Sequence, residues 1–403
     1  MGEKKEQITA YNKNDMPDIL VAGGGIAGIS AALAAAREGR KVLLVEKQCM
    51  LGGLATLGLI TYYLPLCDGE GHQMCHGIAE ELLRLSISEG GGTNIPEEWE
   101  KNGTKEQKKK HRFEVQFNPQ MLALLAEELL IKNGVRILFD TCITDVHKEN
   151  DIITEVILQH KYETIAVKAQ KYIDATGDAD LFWLSGCSTY IYKNKNKISS
   201  WYYRNSAEGV SLRVLGESDS MLDMGKKDEE FLSKKRYSGL DCEDITDFLC
   251  NAHQSILHDV RINREKDKFY EPVTVATIPQ LRMTRRFCGK DTLKANDQKK
   301  RFEDSIGLIG DWRKAGPSYE IPFGCLYSDQ IKNLIGAGRC ISVDDEMWDI
   351  TRAIPCCAIT GEAAGTAAAM NEDFSDTDIE KLQKVLCKNG QKIHLEQVGV
   401  KEI

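Results

Sequence analysis

The chain contains no Cys-x-x-Cys pair, and its 13 cysteines are odd in number. Spacing therefore offers neither a zinc ribbon nor a complete disulfide framework, and no metal site is read. Reduced thiols in a cytoplasm are the expectation. The neighbours Cys356 and Cys357 are expected to pack as small, half-apolar residues, because adjacent cysteines bridge only through a strained ring. Positive charge is also scarce: 52 Lys and Arg stand against 61 Asp and Glu, a formal net charge of −9. Binding to nucleic acid or to anionic membranes rests on clustered cations, so neither partner is expected. The first 15 residues lack the apolar centre of a secretory signal. Residues 49–67 carry no charge, but Gly52, Gly53, Thr56, Gly58, Thr61, Tyr62, Tyr63 and Pro65 interrupt them too often for a membrane span.

What is present is an ordinary globular composition, 28% charged and 42% hydrophobic, in a chain of 403 residues. That length exceeds one comfortable core and predicts two lobes. A small-molecule substrate is the expected partner, with the protein alone or as a homo-oligomer. One basic stretch, Lys105 to Arg112, reads as a solvated loop, since Gly103, Gln107 and three consecutive lysines break apolar periodicity. A second, from Arg282 to Arg301, holds Arg285 and Arg286.

The segment from Asp18 to Ala22 predicts a short buried strand, followed by three glycines and an alanine-rich helix from Ile26 to Glu38. Gly39 stops that helix, and Lys41 to Val45 forms the next, parallel strand. Asn118 and Pro119 open a further helix that Asn133 and Gly134 close. Strand-like segments near 135–139, 142–147, 152–159 and 163–174 predict a small meander returning to the main sheet. Leu334 to Gly338 resumes a buried strand, Ala353 to Met370 is a small-residue helix, and Asp376 to Leu386 a surface helix.

Within the first unit, Gly23-x-Gly25-x-x-Gly28 lies between strand and helix, and Glu46 ends the following strand. Gly23 permits the tight turn, Gly25 lets backbone approach a diphosphate, and Gly28 lets helix and strand close together. Ile26 and Ala27 place their amides at the helix tip, which favours anions. Glu46, followed by Lys47, is positioned for ribose hydroxyls and disfavours a 2′-phosphate. The unit alone does not separate FAD from NAD. The second glycine pair, Gly52 and Gly53, with Leu54, Ala55 and Thr56 behind it, has the spacing of an extended dinucleotide reaching a flavin.

Five further motifs follow in order: Gly52-Gly-Leu-Ala-Thr-Leu-Gly58, Ile173-Asp-Ala-Thr-Gly-Asp-Ala-Asp180, Arg285-Arg286 with Ile321-Pro322, Ala337-Gly-Arg-Cys-Ile-Ser342, and Thr360-Gly-Glu-Ala-Ala-Gly-Thr-Ala-Ala368. Together they resemble the bacterial FAD-dependent oxidoreductases among the glutathione-reductase-like flavoproteins, distantly akin to succinate dehydrogenase and fumarate reductase flavoprotein subunits. The resemblance implies an α/β fold: a Rossmann-like FAD-binding domain with an inserted β-meander (16–185 and 316–375), a second, mixed α+β substrate lobe (186–315), and a C-terminal helix and tail (376–403). It implies that Ala175, Thr176 and Gly177 close against FAD, that Gly338 and Arg339 run along its ribityl and diphosphate, and that the helix start at Cys356, Cys357 and Ala358 faces the flavin. Relatives often carry His where Asp345 stands here, so no role transfers to that position. Thiol-disulfide reductases of the superfamily place a Cys pair just after the glycine pair, and Leu-Ala-Thr-Leu-Gly stands there instead.

Hydride transfer to or from a small polar molecule, a sugar or glycoside, a hydroxy acid or an enoate, is the chemistry this implies. His72, His76 and Tyr63 are the candidate proton-handling residues, and one of Arg285 and Arg286 is expected to face the substrate. Ordinary packing and ion-pair roles compete with each of these readings. A flavin-binding protein without turnover, or a flavin-scaffold enzyme with non-redox chemistry, are the rival classes.

Overall fold

The computed structural model describes residues 8–10, 16–216, 233–370 and 373–402. Residues 217–232 of the expected substrate lobe, most of the first 15 residues, residues 371–372 and Ile403 lie outside the described residues. Among those described, no helix is long and apolar enough to cross a membrane.

The sheet that organises the fold has five parallel strands in the spatial order Leu334–Gly336, Lys171–Asp174, Ile19–Ala22, Val42–Val45, Arg136–Leu138. Ile19–Ala22 and Val42–Val45 are buried at every position, because helices cover one face, packing on Ile19, Val21, Val42 and Leu44, and an antiparallel β layer covers the other, packing on Leu20, Ala22, Leu43 and Val45. The chain leaves Ile19–Ala22 to one side and later returns on the other. The order therefore reverses at its carboxyl end, where open α/β sheets hold ligands. Helix Ile26–Arg37 makes the first crossover, and Pro119–Lys132 makes the second. Asn118 accepts from the Gln120 and Met121 amides, as its place before Pro119 predicts.

The meander differs from its sequence reading in two places. Arg136–Leu138 belongs to the main sheet as its edge strand, because the helix before it is a crossover that delivers a parallel strand. The stretch 163–174 divides into Thr164–Val167, antiparallel to Ile152–Gln159, and Lys171–Asp174 in the main sheet. Cys142–Glu149 completes the antiparallel layer, and Ile8–Ala10 adds a parallel strand at its edge.

Helix Ile354–Met370 lies against Ile26–Arg37 with little between them. A Cβ on Gly361 or Gly365 would collide with the Ala27 or Ala31 carbonyl oxygen. This close approach explains why both helices are built from Ala and Gly and are buried nearly all round.

In the second lobe, Tyr202–Asn205 pairs with Ser211–Arg213 and Glu271–Val275, and helix Cys242–Arg264 covers one face. Tyr202 and Tyr270 donate to Asp259, which also pairs with Arg213 at 2.8 Å. The expected boundary at residue 315 falls inside a hairpin. Ser305–Gly310 and Ser318–Pro322 pair with each other, fully buried, and Gly307 abuts Ile359 of the late helix. The hairpin thus belongs with the nucleotide unit from residue 305 onward. The 105–112 stretch is not all loop either: Lys105–Lys108 forms a helical turn with Thr104 and Gln107 in a capping box, and Arg112 donates to the Trp312 carbonyl at 2.9 Å.

Candidate active site

The first glycine loop is shaped by three constraints. Gly23 has φ of +96°, and a Cβ there would lie 2.6 Å from the Ala175 oxygen. A Cβ on Gly28 would overlap the Gly23 oxygen. Gly25 differs: it sits at the N-cap of Ile26–Arg37 with no side chain capping the helix, and a Cβ there meets nothing within 4 Å. The Ile26, Ala27 and Gly28 amides thus form an uncapped helix tip beside open space, the arrangement that receives a phosphate.

Glu46 is buried at the rim of this space, where its carboxylate accepts from the Gly24 amide at 2.6 Å and the Gln48 amide at 2.8 Å. Gly52, with φ of +102°, donates its amide to the Gly24 oxygen at 2.8 Å, so the second glycine loop is bonded directly to the first. Gly53, Leu54 and Ala55 follow as a single 3-10 turn, and Thr56 ties it back through the Leu51 oxygen at 2.5 Å. Lys47 is exposed, and its charge acts on Asp178 and Asp180.

Ala175, Thr176 and Gly177 leave the strand above this loop. Buried Asp174 accepts from the Thr176 amide and hydroxyl, and burial pushes its carboxyl up to about 6. Gly338, with φ of +82°, places its Cα against the Ala27 side chain and donates to the Thr360 hydroxyl at 3.0 Å. The starts of helices Ile26–Arg37 and Ile354–Met370 are thereby held in one body. Cys356 and Ala358 are buried and Cys357 half-buried, with both thiols free. Burial pushes the Cys357 thiol up to about 12, which leaves it protonated and a poor nucleophile.

The arginines lie at the junction of the lobes, and their partners are protein groups. Arg339 donates to the Gly177 oxygen (2.8 Å), the Leu281 oxygen (2.5 Å) and Asp178 (2.6 Å), so its guanidinium ties the 174–180 loop to the second lobe. Burial opposes the charge of Asp178, but Arg339 and Lys47 overcome it and hold the carboxyl below its usual range. Thr284 also donates to Asp178. Arg285 bonds the Asp178 oxygen at 2.8 Å and Asp180 at 2.7 Å, with Trp183 under its guanidinium. Arg286 is sandwiched between Tyr190 (3.9 Å) and Trp348 (4.6 Å) and pairs with Asp345 at 3.1 Å. Both arginines therefore pin strand Arg285–Phe287 to the nucleotide unit.

The three proton-handling candidates separate. Tyr63 is a core residue: fully buried, packed edge-on against Phe117, and donating to the Ala79 oxygen at 2.6 Å. Burial raises its hydroxyl pKa well above the ordinary value. His76 contacts the Gln73 oxygen at 3.2 Å, and burial lowers its pKa. His72 is held through Nδ1 by Asp68 at 2.6 Å, and Asp68 is fixed in turn by the Glu70 and His72 amides. The 68–76 loop leans on the C-terminal tail, where Gln391 donates to the His76 oxygen and Gly399 approaches the His72 ring.

Sequence reasoning missed Gln280. It is buried and donates through Nε2 to the Gly58 oxygen (2.7 Å) and the Trp201 oxygen (3.0 Å), while its Oε1 accepts from the Trp201 amide (2.8 Å). One amide thus sews the loop at Gly58 to the second lobe. Beside it stand Trp201, with Tyr62 edge-on at 6.3 Å and the Arg282 guanidinium 5.3 Å from its ring, and Tyr203, bonded to the Thr61 hydroxyl at 2.9 Å. An isolated Gln in a mixed segment carries no periodicity or motif by which to find it.

A family model described as FAD dependent oxidoreductase matches residues 18–200 and 192–386. Among curated proteins, thioredoxin reductase from Ureaplasma parvum serovar 3 is 34% identical over 71 residues, covering 18% of this chain and 23% of that relative. The match thus spans less than a quarter of the relative's length. Among solved structures, a geranylgeranyl bacteriochlorophyll reductase-like protein from Thermoplasma acidophilum is similar at 17% identity and a TM-score of 0.48, covering 94% of this chain and 85% of that one. A flavoprotein/dehydrogenase from Cytophaga hutchinsonii is similar at 11% identity and a TM-score of 0.47, covering 92% and 83%.

Proposed function

Since the chain belongs to the FAD dependent oxidoreductase family, we propose that it transfers a hydride equivalent between FAD and a small organic anion, such as a hydroxy acid or an enoate, in preference to a neutral sugar of the same size. Its cofactor is FAD, and the residues present fit that group: an uncapped helix tip beside open space at Gly25, a buried carboxylate at Glu46, and a second glycine loop bonded to the first. When bound, FAD supplies the two-electron chemistry.

The protein residues bind and orient. Gly25, Ile26, Ala27 and Gly28 would hold the diphosphate on backbone amides, and Glu46 the adenosine ribose. Gly52 to Thr56, Gly177 and Gly338 would line the path to the flavin, with Cys356, Cys357 and Ala358 at its far end. Arg285, Arg286 and Arg339 act as positioning residues that keep the two lobes in register. His72, oriented by Asp68, is the candidate for exchanging the substrate proton, since a carboxylate-held imidazole has one nitrogen fixed and the other free to act.

The observation that carries the substrate reading is the wall that Gln280 stitches to Gly58. Trp201 and Tyr62 give it aromatic faces, and buried Arg282, whose guanidinium donates to the Gln280 carbonyl and the Ser199 hydroxyl, sets a positive charge behind them that favours an anion. Arg282→Gln is expected to raise KM for the best donor about tenfold, or about 1.4 kcal/mol, while kcat changes little. Steady-state kinetics read this split directly. The defining experiment is anaerobic photometry of the flavin-loaded protein against hydroxy acids, enoates and size-matched neutral sugars. Bleaching by a hydroxy acid, or reoxidation of reduced protein by an enoate, is the expected outcome. Response to neutral sugars alone would overturn the anion preference. A bound flavin that no donor or acceptor changes would point to non-redox use of the cofactor.

A further inference from the structure

Away from the nucleotide crevice, the C-terminal tail carries two groups that converge on a buried carboxylate. Glu320, on strand Ser318–Pro322, has no solvent exposure, and His394 and Glu402 approach it from the tail. One ligand-capable atom from each lies within 4.8 Å of the other two. Metal–ligand bonds of about 2.0–2.2 Å place neighbouring ligands about 3–4 Å apart, so a single ion reaches all three with small side-chain adjustments. His394 Nδ1 already stands 3.1 Å from the Glu320 oxygen.

The site is built before any ion arrives. The Phe302 and Leu395 amides donate to the two Glu320 oxygens at 2.9 and 3.0 Å, which fixes the carboxylate plane as outer ligands do in metal centres. Charge is also out of balance. Arg301 is the cation paired with Glu402 (3.2 Å), and it is shared with Glu303 (3.3 Å) and Glu396 (3.4 Å). Three carboxylates thus share one guanidinium, and Arg301 keeps two partners if Glu402 turns to an ion. Glu402 is partly exposed, which leaves an entry path and room for water.

We propose that Glu320, His394 and Glu402 bind one divalent transition-metal ion, zinc in preference to magnesium, and that the ion clamps the tail onto the Ser305–Pro322 hairpin. An imidazole with two carboxylates selects zinc over magnesium, which prefers oxygen ligands and retains its waters. Three ligands scattered at 320, 394 and 402 leave no spacing signature, and so the sequence reading finds no metal.

Equilibrium dialysis of the flavin-loaded full chain against zinc chloride tests this. Wild type is expected to hold one zinc per chain at this site. Glu320→Gln and His394→Ala should each weaken that binding by at least about tenfold, and magnesium should not compete. Zinc should raise the unfolding midpoint of wild type and not of the variants. Should Glu320→Gln or His394→Ala fail to fold, Glu402→Gln decides, since its side chain is the partly exposed member. Zinc bound equally by wild type and Glu402→Gln would assign it to thiols elsewhere and overturn the proposal, as would no binding at all.

Discussion

Gly25→Val is expected to yield a protein that folds normally and leaves the column without yellow colour. Gly25 has φ of −69° and ψ of 179°, a conformation open to any residue, and a Cβ there meets no protein atom within 4 Å. The added methyls point instead into the space beside the helix tip, where backbone must approach the diphosphate. FAD affinity should fall by at least about a hundredfold, or about 2.7 kcal/mol, with thermal unfolding of the apoprotein unchanged. Gly28→Val is the control that separates binding from folding. Its Cβ would overlap the Gly23 carbonyl oxygen, so that variant should fail to accumulate as folded protein. Reconstitution of Gly25→Val with FAD at wild-type affinity would remove the diphosphate from this loop.

The second large effect concerns Glu362, in the middle of the late helix. Its carboxylate is 1% exposed, accepts from the Ile78 amide at 2.9 Å and the Gln391 amide at 2.7 Å, and faces Gly77. Burial, reinforced by the charge of Glu81, outweighs those bonds and the attraction of Arg37 and pushes the carboxyl up to about 7. A pKa raised on folding means that the native state favours the protonated form. The stabilisation is therefore complete below the unfolded value near 4.5 and is lost as pH rises through about 7. Glu362→Gln keeps the shape and removes the charge. Relative to wild type, it should gain about 3 kcal/mol of stability at pH 8 and almost nothing at pH 4.5. Urea unfolding of both proteins across that range measures the difference, and a gap independent of pH would refute the assignment.

Where the signal was local, the sequence disclosed the structure closely. The strand, glycine loop and helix from Ile19 to Arg37 stand where apolar runs and Gly39 put them, and the Asn118 cap does as well. The late helix was legible from its small residues, although its partner was not. What escaped were polar groups whose meaning depends on a distant chain segment. Gln280 bonds Gly58, and Asp178 gathers Arg339 and Thr284; neither pairing leaves a trace in nearby sequence. The same cause redirected Arg285 and Arg286. A run of cations announces charge, but only tertiary structure supplies Asp180, Asp345 and the rings of Trp183, Tyr190 and Trp348. Tyr63 shows the reverse case: a hydroxyl in an apolar run finds a helix carbonyl and becomes core.

The contact of Gly361 and Gly365 with Ala27 and Ala31 also sets an order of events during synthesis. The flank of the first helix stays uncovered while residues 38–353 are made and until the late helix follows, on the order of half a minute later. Through that interval the nascent protein has a glycine loop but no second wall for the cofactor. Flavin capture thus waits until the late helix has been made and has docked.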